Sequence, residues 1–351
     1  MPLWYSGIVD EHMAVRNTAG LFDVSHMGRV SIRGHEASDF LESLLPTSCM
    51  KIRDGRAFYS NMCNESGGII DDVIVNRFSS DEYLMVINAG NREKDLSWIR
   101  NISQDYDVSL DDISDITALF ALQGPLASHI LQKLTEASLS ELKRFSFVSS
   151  NVNGTHCLIS RTGYTGEDGF ELTIYDTTNA NNEKAANVWD QLLNHGRENG
   201  LLPCGLGARD SLRLEAGMCL YGQDIDETTS PIEASLEGIV DLNGRKFVGS
   251  EALQSQQKKG VSRKRVAFSL IDSGIPRHGY DVFFSDKPAG KVTSGTFSPL
   301  LKKGIGMAYV PTPISSIGHK LGIKIHQAEK IAEVVGIPFY DTSRYGYKRK
   351  T

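Results

Sequence analysis

The segment "YLMVINAGNREKDLSW", Tyr83 to Trp98, contains the change of pattern that decides the fold. Its first five residues are apolar and β-favouring, which predicts a strand. The turn-forming run "NAGN", residues 88–91, then interrupts the strand, and a helical pattern begins with Asn91 as its N-cap. The sequence therefore predicts a strand, a tight turn and a helix in direct succession.

Asp95 falls on the apolar side of this predicted helix. At about 100° per residue, Leu96 and Ile99 lie on the same face. A buried carboxylate is costly unless it is paired or hydrogen-bonded. Two interpretations are open: a structural ion pair with Arg92, one turn earlier, or a carboxylate that binds a ligand or takes part in catalysis at the mouth of the turn.

Composition and charge exclude several classes of protein. The chain has 351 residues, enough for two or three domains, and its 40% hydrophobic content is ordinary for a globular protein. Its net charge is -6. Acidic and basic residues are interleaved, so no broad basic surface for nucleic acid is indicated. Apolar runs stay below the roughly 18 residues of a membrane span, and the N-terminus lacks a signal-peptide pattern. We expect a soluble protein that is not exported.

The cysteines and the glycine-rich segments exclude common cofactors. Five widely spaced cysteines form no C-x-x-C or Cys/His cluster, which argues against disulfides and against a metal site and favours a reducing cytoplasm. The sequence has neither a G-x-x-x-x-G-K-[ST] phosphate loop nor a G-x-G-x-x-G motif that opens a helix. A nucleotide or flavin domain is therefore not expected.

The secondary-structure patterns predict an α+β fold in two regions. Up to about residue 254, strand patterns of period two alternate with helical patterns. From about residue 255 short strands separated by Gly, Pro and Ser dominate, which predicts a separate β-barrel or sandwich. The polar and basic segment 254–264 is the predicted linker. We therefore divide the chain into regions 1–254 and 255–351.

A second carboxylate candidate follows the glycine-rich segment "RTGYTGEDGFEL", residues 161–172. Its glycines predict a hairpin, because glycine adopts the positive φ angles that tight turns need. In the strand that follows, Glu171 faces away from Phe170 and Leu172. Glu171 is either an ordinary exposed strand residue or a carboxylate that binds a flat, N–H-bearing ring.

Two arginines form a third candidate. Arg209 and Arg213 lie four residues apart in a predicted helix over residues 208–216, so they share one face. Together they could bind an anionic ligand or a carboxylate such as Glu171. The alternative is a solvated face on which both pair with acidic neighbours in their own helix.

The order and spacing of several longer motifs resemble the aminomethyltransferase family, which includes the T-protein of the glycine cleavage system. The resemblance extends from about Tyr5 to Phe339 and depends on these motifs: "LFDVSHMG", "GGIIDD", "VINAGNREKD", "LQGP", "RTGYTGEDGFE", "GLGARDSLRLEAGMCLYGQDIDETTSPIEASL", "FVGSEAL" and "VTSGTFSP" with "GIGMAYV". It implies a three-domain cloverleaf around a central folate pocket, with a C-terminal antiparallel β-barrel.

The resemblance also implies roles for individual residues. Asp95 would lie beside the reacting nitrogens as the catalytic carboxylate, and Arg265 would reach the glutamyl tail of folate, where a cation is physically suitable. The residues that would bind the folate co-substrate are Met27, Glu171, Arg209, Arg265 and Tyr345.

The implied reaction is the transfer of a methylene from the aminomethyl-lipoyl group of H-protein to tetrahydrofolate, in glycine catabolism. The products would be 5,10-methylenetetrahydrofolate, ammonia and dihydrolipoyl H-protein. The implied partners are lipoylated H-protein, the decarboxylating P-protein and the dihydrolipoyl dehydrogenase. Three alternatives share the fold: another tetrahydrofolate-dependent demethylase or C1 transferase, the C-terminal half of sarcosine or dimethylglycine dehydrogenases, and a non-catalytic folate-binding protein.

Overall fold

The computed structural model describes residues 1–349 and shows an α+β protein. The helices are α1 (Ile8–Asn17), α2 (Ala37–Leu44), α3 (Arg92–Ile102), α4 (Ala127–Gln132), α5 (Glu183–Gly196), α6 (Leu206–Glu215) and α7 (Ser250–Lys259). The strands of the first two sheets are β1 (Ala19–Asp23), β2 (Gly28–Arg33), β3 (Arg56–Cys63), β4 (Ile69–Arg77), β5 (Glu82–Ile87), β6 (Ser109–Asp112), β7 (Thr117–Gln123), β8 (Phe147–Val152), β9 (Thr155–Ser160), β10 (Gly169–Tyr175) and β11 (Leu201–Pro203).

The first sheet contains the predicted strand, turn and helix. Its strand order is β3-β4-β5-β2-β6, and every neighbouring pair is antiparallel. A single 3-10 turn, Ala89–Asn91, joins β5 to α3. Phe40 of α2 and Ile99 of α3 pack with Val73 and Met85 in one core on the sheet. The sequence prediction for this segment is confirmed.

The second sheet is covered on both faces. Its order is β11-β1-β7-β10-β9-β8, and only the β1–β11 pair is parallel. Helices α4 and α5 share one core with this sheet, where Ile130 and Val188 are fully buried. Helices α1 and α6 cover the other face through Val15 and Leu212. Burial from both sides explains why every residue of the apolar strand β7 is buried.

The C-terminal region is a closed antiparallel barrel of order β12-β15-β14-β13-β16-β17. Its strands are β12 (Arg263–Leu270), β13 (Asp281–Phe284), β14 (Lys287–Ser298), β15 (Lys303–Pro311), β16 (Lys320–Ile325) and β17 (Ala328–Val335). The barrel resolves the choice that the sequence left open between a barrel and a sandwich. Helix α7 occupies the first half of the predicted linker, up to Lys259.

Helix α6 joins the barrel to the rest of the chain. Arg213 donates to the Ser294 hydroxyl of β14 at 2.9 Å, and Leu214 packs against Ile305 and Met307 of β15. Because these contacts are buried, the barrel is fixed against the second sheet. Within the described residues, no helix is both long enough and apolar enough to cross a membrane.

Candidate functional site

Asp95 is buried in the first turn of α3 without a compensating partner. Its side chain is fully buried, and neither carboxylate oxygen has a hydrogen-bond partner among residues 1–349. Arg92 instead binds Asp112, with Nε and Oδ2 2.7 Å apart, and Asp115. The structural ion pair between Asp95 and Arg92 is therefore not formed.

Two further aspartates of β4, Asp71 and Asp72, lie beside Asp95. Asp71 is fully buried and accepts from the Asn88 backbone N–H at 2.9 Å, the Asn88 amide at 2.9 Å and the Asn91 amide at 2.6 Å. Asp72 accepts from the Asn88 amide at 2.8 Å and from the Tyr59 hydroxyl at 3.2 Å. We call Asp71, Asp72 and Asp95 the carboxylate cluster.

The cluster perturbs the protonation of its members. Burial, followed by contact with Asp71, raises the pKa of Asp95 far above its ordinary value, and the charge of Lys94 offsets this only in part. Burial and the charge of Asp71 raise the pKa of Asp72 to about 7. Carboxylates with such raised pKa values are typical of functional sites, because a structural ion pair lowers the pKa instead.

A loop between α6 and α7 fixes the position of β4 and α3 at this cluster. A Cβ atom on Gly68 would lie 1.8 Å from the Glu227 carbonyl oxygen, so only glycine permits this approach. Lys94 donates to the Ile70 carbonyl at 2.8 Å, the Tyr221 hydroxyl at 2.8 Å and the Glu227 carboxylate at 3.0 Å. These contacts hold α3 against the strand that contains Asp71.

Arg209 and Glu171 do not form the ion pair that the sequence allowed. Arg209 is half-buried, its guanidinium lies 4.7 Å from the centre of the Tyr164 ring, and among residues 1–349 no carboxylate lies within 4.0 Å of it. Burial lowers the pKa of Arg209. Glu171 accepts a hydrogen bond from the Thr162 hydroxyl. Both charged groups are thus held in place but lack a partner of opposite charge.

Arg213 differs from Arg209 although both belong to α6. It is fully buried and pairs with Asp224 at 2.7 Å and with Asp210 at 2.7 Å. The hypothesis that the two arginines bind one ligand is therefore wrong for Arg213, whose donors are used inside the protein.

Met27 lies on a loop that a buried arginine holds. Arg29 is fully buried and donates to the carbonyl oxygens of Ser25 at 3.1 Å and Met27 at 2.5 Å. Burial and, second, the charge of Arg209 lower the pKa of His26. The loop that contains Met27 therefore lies near Arg209.

Arg265 and Tyr345 have different surroundings. The buried Arg265 donates from Nε to the Ala234 carbonyl at 2.9 Å and from Nη1 to the Gly217 carbonyl at 3.3 Å. Tyr345 lies on the C-terminal segment, where its ring faces the guanidinium of Arg344 at 5.6 Å.

The contacts of Tyr164 connect these groups. Burial raises the pKa of Tyr164, the guanidinium of Arg209 lies over its ring at 4.7 Å, and its hydroxyl donates to the Cys219 carbonyl. The charges of Asp72 and Arg209 both act on Tyr164, and that of Glu171 acts on Arg209, so the carboxylate cluster, Arg209 and Glu171 lie around Tyr164. Tyr345 belongs to a segment that instead contacts Glu167, through the Gly346 N–H at 3.0 Å.

Comparison with known proteins identifies the family. The GCVT N-terminal domain family matches residues 1–244, and the glycine cleavage T-protein C-terminal barrel domain family matches residues 263–341. The chain belongs to the aminomethyltransferase family of the glycine cleavage system. The resemblance drawn from the sequence is confirmed, and so is the prediction of an enzyme.

Relatives named aminomethyltransferase match nearly the whole chain. The protein from Thermoanaerobacter pseudethanolicus is 44% identical over 97% of this chain and 91% of its own length. That from Geobacillus thermodenitrificans is 46% identical over 98% and 93%. The crystal structure of glycine cleavage system aminomethyltransferase T from Bartonella henselae has a TM-score of 0.90 at 32% identity and covers 99% of this chain and 93% of that one. This family uses tetrahydrofolate as a substrate.

Sequence reasoning singled out neither Asp71 nor Asp72 as a site residue. The motif "GGIIDD" contained the signal, because two adjacent aspartates within an apolar strand need an explanation in the same way as Asp95 does. Sequence reasoning also missed Arg29 and Tyr164. Arg29 binds backbone carbonyl oxygens, and Tyr164 contributes by its contact with Arg209. No local pattern distinguishes such residues from ordinary ones.

Proposed function

We propose that this enzyme transfers the methylene of the aminomethyl-lipoyl group of H-protein to tetrahydrofolate. The observation that carries the proposal is a pair of ionisable groups at one site that lack a partner of opposite charge, the Asp95 carboxyl and the Arg209 guanidinium. A folate offers ring N–H donors to the first and carboxylates or ring acceptors to the second. Groups that lack a partner inside the protein are the ones a ligand can satisfy.

The reaction is balanced without an oxidant or a metal. The methylene leaves the amine nitrogen and the lipoyl sulfur, and it ends on N5 and N10 of the folate. The two protons that N5 and N10 release go to the amine, which leaves as ammonia, and to the sulfur, which leaves as the dihydrolipoyl thiol. The products are 5,10-methylenetetrahydrofolate, ammonia and dihydrolipoyl H-protein.

Asp95 acts on this reaction by orientation and by charge. Two bulky carriers must meet in one pocket, and good positioning can lower such a barrier by roughly 7 to 11 kcal/mol. A carboxyl group buried beside the folate nitrogens keeps them nucleophilic and stabilises positive charge on the methylene in transit. Low solvent access strengthens both effects, because Asp95 is fully buried.

The remaining candidate residues would bind the folate. Arg209 and Glu171 would hydrogen-bond its polar groups, and Met27 would pack on its ring system. We assign the glutamyl tail to Arg265, whose Nη2 has no hydrogen bond among residues 1–349. Region 1–254 would form the folate-binding part and region 255–351 the barrel domain.

We place the reaction in the cytoplasm, in company with lipoylated H-protein, the decarboxylating P-protein and the dihydrolipoyl dehydrogenase. The five cysteines support a reducing compartment, because all are buried as free thiols.

The test is formation of 5,10-methylenetetrahydrofolate and ammonia from tetrahydrofolate and aminomethyl-loaded H-protein, with wild type and Asp95→Asn side by side. We expect the variant to fold and to bind tetrahydrofolate, but to lose turnover by about 10²- to 10⁴-fold. The matched control is Glu93→Gln, an exposed carboxyl on the same helix, which should retain wild-type turnover. An Asp95→Asn enzyme with full activity would refute the role of Asp95.

A wild type that binds tetrahydrofolate but forms no product would overturn the H-protein reaction itself. The next substrates to test would then be small methylated amines, as for other tetrahydrofolate-dependent demethylases. Failure with these as well would leave a folate-binding protein without catalytic activity.

A further inference from the structure

Asp71 and Asp95 are close neighbours, because Asp71 accepts from the side-chain amide of Asn91 at 2.6 Å, and Asn91 is the N-cap of the helix that carries Asp95; the Asp71 carboxyl group acts directly on that of Asp95. Both side chains are fully buried. Two ionised carboxylates offer only acceptors and repel each other, which is consistent with the lack of any donor to Asp95 within residues 1–349. One proton would convert the same contact into a hydrogen bond. The geometry therefore calls for one proton on the pair.

The donors around the pair decide which carboxyl group holds that proton. Asp71 accepts three N–H bonds, from the Asn88 backbone, the Asn88 amide and the Asn91 amide. N–H donors favour the ionised form of a carboxyl group. Asp95 receives no N–H bond within the described chain. The negative charge therefore belongs on Asp71 and the proton on Asp95.

We infer that Asp71 is a positioning residue, which keeps one shared proton on Asp95 so that Asp95 faces the substrate as a carboxylic acid. The inference rests on the proposed function, because it gives Asp95 a second task in the same transfer. Asp71 acts only through Asp95, since the other groups that bind its oxygens are the donors of Asn88 and Asn91.

Other charged groups act on Asp95 in opposite directions. Asp72 on β4 raises its pKa, and Lys94 on its own helix lowers it. Lys94 is already bound to Glu227 at 3.0 Å, so much of its charge is neutralised locally. Tyr59 reaches the cluster through its hydrogen bond to Asp72. The balance of these groups keeps the proton on the pair.

A proton at this position serves the transfer. Asp95 gives it to the departing amine as the carbon–nitrogen bond breaks, so ammonia leaves neutral. The resulting carboxylate then faces the positive charge on the methylene. When the second carbon–nitrogen bond forms, the folate N–H proton returns to Asp95. The other folate N–H proton goes to the sulfur, and no proton is gained or lost overall.

The first test needs no substrate. Infrared difference spectra of wild type minus Asp95→Asn, at neutral pH, should show the carbonyl stretch of a protonated carboxylic acid. The difference spectrum of Asp71→Asn minus the double variant Asp71→Asn/Asp95→Asn should lack this band. The side-chain amide that Asp71→Asn introduces would present a donor to Asp95, and a donor favours the carboxylate. A wild type without the band overturns the inference, whatever the enzyme's activity is.

The second test is the pH dependence of turnover with H-protein and tetrahydrofolate. Turnover requires protonated Asp95, so its loss at high pH reports the pKa of the pair. In Asp71→Asn this loss should move to lower pH by about 1 to 3 units. In Asn91→Ala, which removes one donor from Asp71, it should move to higher pH. Glu93→Gln should leave it unchanged.

Opposite shifts in the two variants distinguish the inference from general damage, which would lower turnover at every pH without such a pattern. Shifts of the same sign, or no shift in a folded Asp71→Asn enzyme, would overturn it. If Asp71→Asn does not fold, two results still test the inference: the carboxylic-acid band in wild type, and the shift of the high-pH loss of turnover in Asn91→Ala. If wild type makes no product, the proposed function fails, and the spectra still test the shared proton.

Discussion

Two groups of buried charges in this protein have opposite hydrogen-bonding states. One is the carboxylate cluster, where Asp95 has no partner among residues 1–349. The other, which we call the Arg16 cluster, consists of His12, Arg16, Glu167 and Glu215, and its side chains are fully or almost fully buried. Arg16 donates to Glu215 at 3.0 Å, to Glu167 at 3.0 Å and to the Thr165 carbonyl at 2.8 Å.

The pKa values follow this difference. Burial alone would raise the pKa of Glu215, but the hydrogen bond from His12 and the charge of Arg16 outweigh it and lower that pKa. In the carboxylate cluster burial is reinforced by a second carboxyl group, so the pKa of Asp95 rises. A buried charge that is fully paired serves the fold, whereas one without a partner indicates a ligand or a proton.

The largest effect on stability should come from breaking the paired cluster. Replacing Arg16 by methionine removes the buried cation between Glu167 and Glu215 and leaves Glu167 with Arg349 alone, which should lower the free energy of unfolding by about 3 to 5 kcal/mol. Chemical denaturation measures this change. The matched control is Arg33→Ala, because Arg33 forms a solvent-exposed pair with Glu82 and should cost at most about 1 kcal/mol. Equal losses in both variants would contradict the comparison.

The next effect concerns binding rather than stability. Arg209→Ala removes a cation that has no ion pair to lose in the free enzyme. The free energy of unfolding should therefore fall by only about 1 kcal/mol, which is the contribution of the cation–π contact with Tyr164. Tetrahydrofolate affinity should fall about 10- to 100-fold, as expected for hydrogen bonds to a charged group. Calorimetric titration measures the affinity, and Arg33→Ala is again the control. A strongly destabilised protein with normal affinity would place Arg209 with the structural charges.

The sequence predicted the carboxylate site better than the paired cluster. Asp95 could be recognised because its helix is short and regular, and local periodicity placed a carboxylate on the apolar face. Arg16 and Glu215 are 199 residues apart, and no local pattern signals their contact. For the same reason sequence reasoning missed the pairing of Arg213 with Asp224, although both residues lie in one motif.

The fold divides in the same way. Local periodicity predicted single elements, as for β5, α3 and α6. The closed barrel and the strand order of the sheets depend on pairings between distant segments, such as β1 with β11. Those pairings, and the assembly of residues around Asp95, came only from the family resemblance or the structure.

A moderate effect of opposite sign is expected for Asp95→Asn. The folded state raises the pKa of Asp95 above its ordinary 3.8. Above about pH 3.8, folding therefore takes up a proton on Asp95. The free energy of unfolding falls as the pH rises further toward the folded pKa. Asparagine removes that dependence. The variant should therefore be more stable than wild type by about 1 to 3 kcal/mol at pH 7 to 8.

Denaturation at several pH values checks this sign. The gain of Asp95→Asn should shrink as the pH falls toward 3.8, where the carboxyl is protonated in both the folded and the unfolded state. Glu93→Gln, with an exposed carboxyl, should show little change over the same range. A variant less stable than wild type at neutral pH would mean that the folded protein holds Asp95 as a paired carboxylate after all.

The smallest effect should come from Glu171, which lies between the two extremes of the comparison. It is half-buried and has one donor, the Thr162 hydroxyl, but no cation. Thr162→Val removes that donor while it keeps the shape of the side chain. Glu171 can turn toward solvent in the free enzyme, so stability should change by no more than about 1 kcal/mol. Tetrahydrofolate affinity should fall about 3- to 10-fold, since the ligand must then bind a carboxylate that is no longer held in place.

If Glu171→Gln lowers affinity further, and Thr162→Val has no additional effect in its presence, the hydroxyl acts through Glu171. Independent, additive losses would show instead that Thr162 contacts the ligand directly.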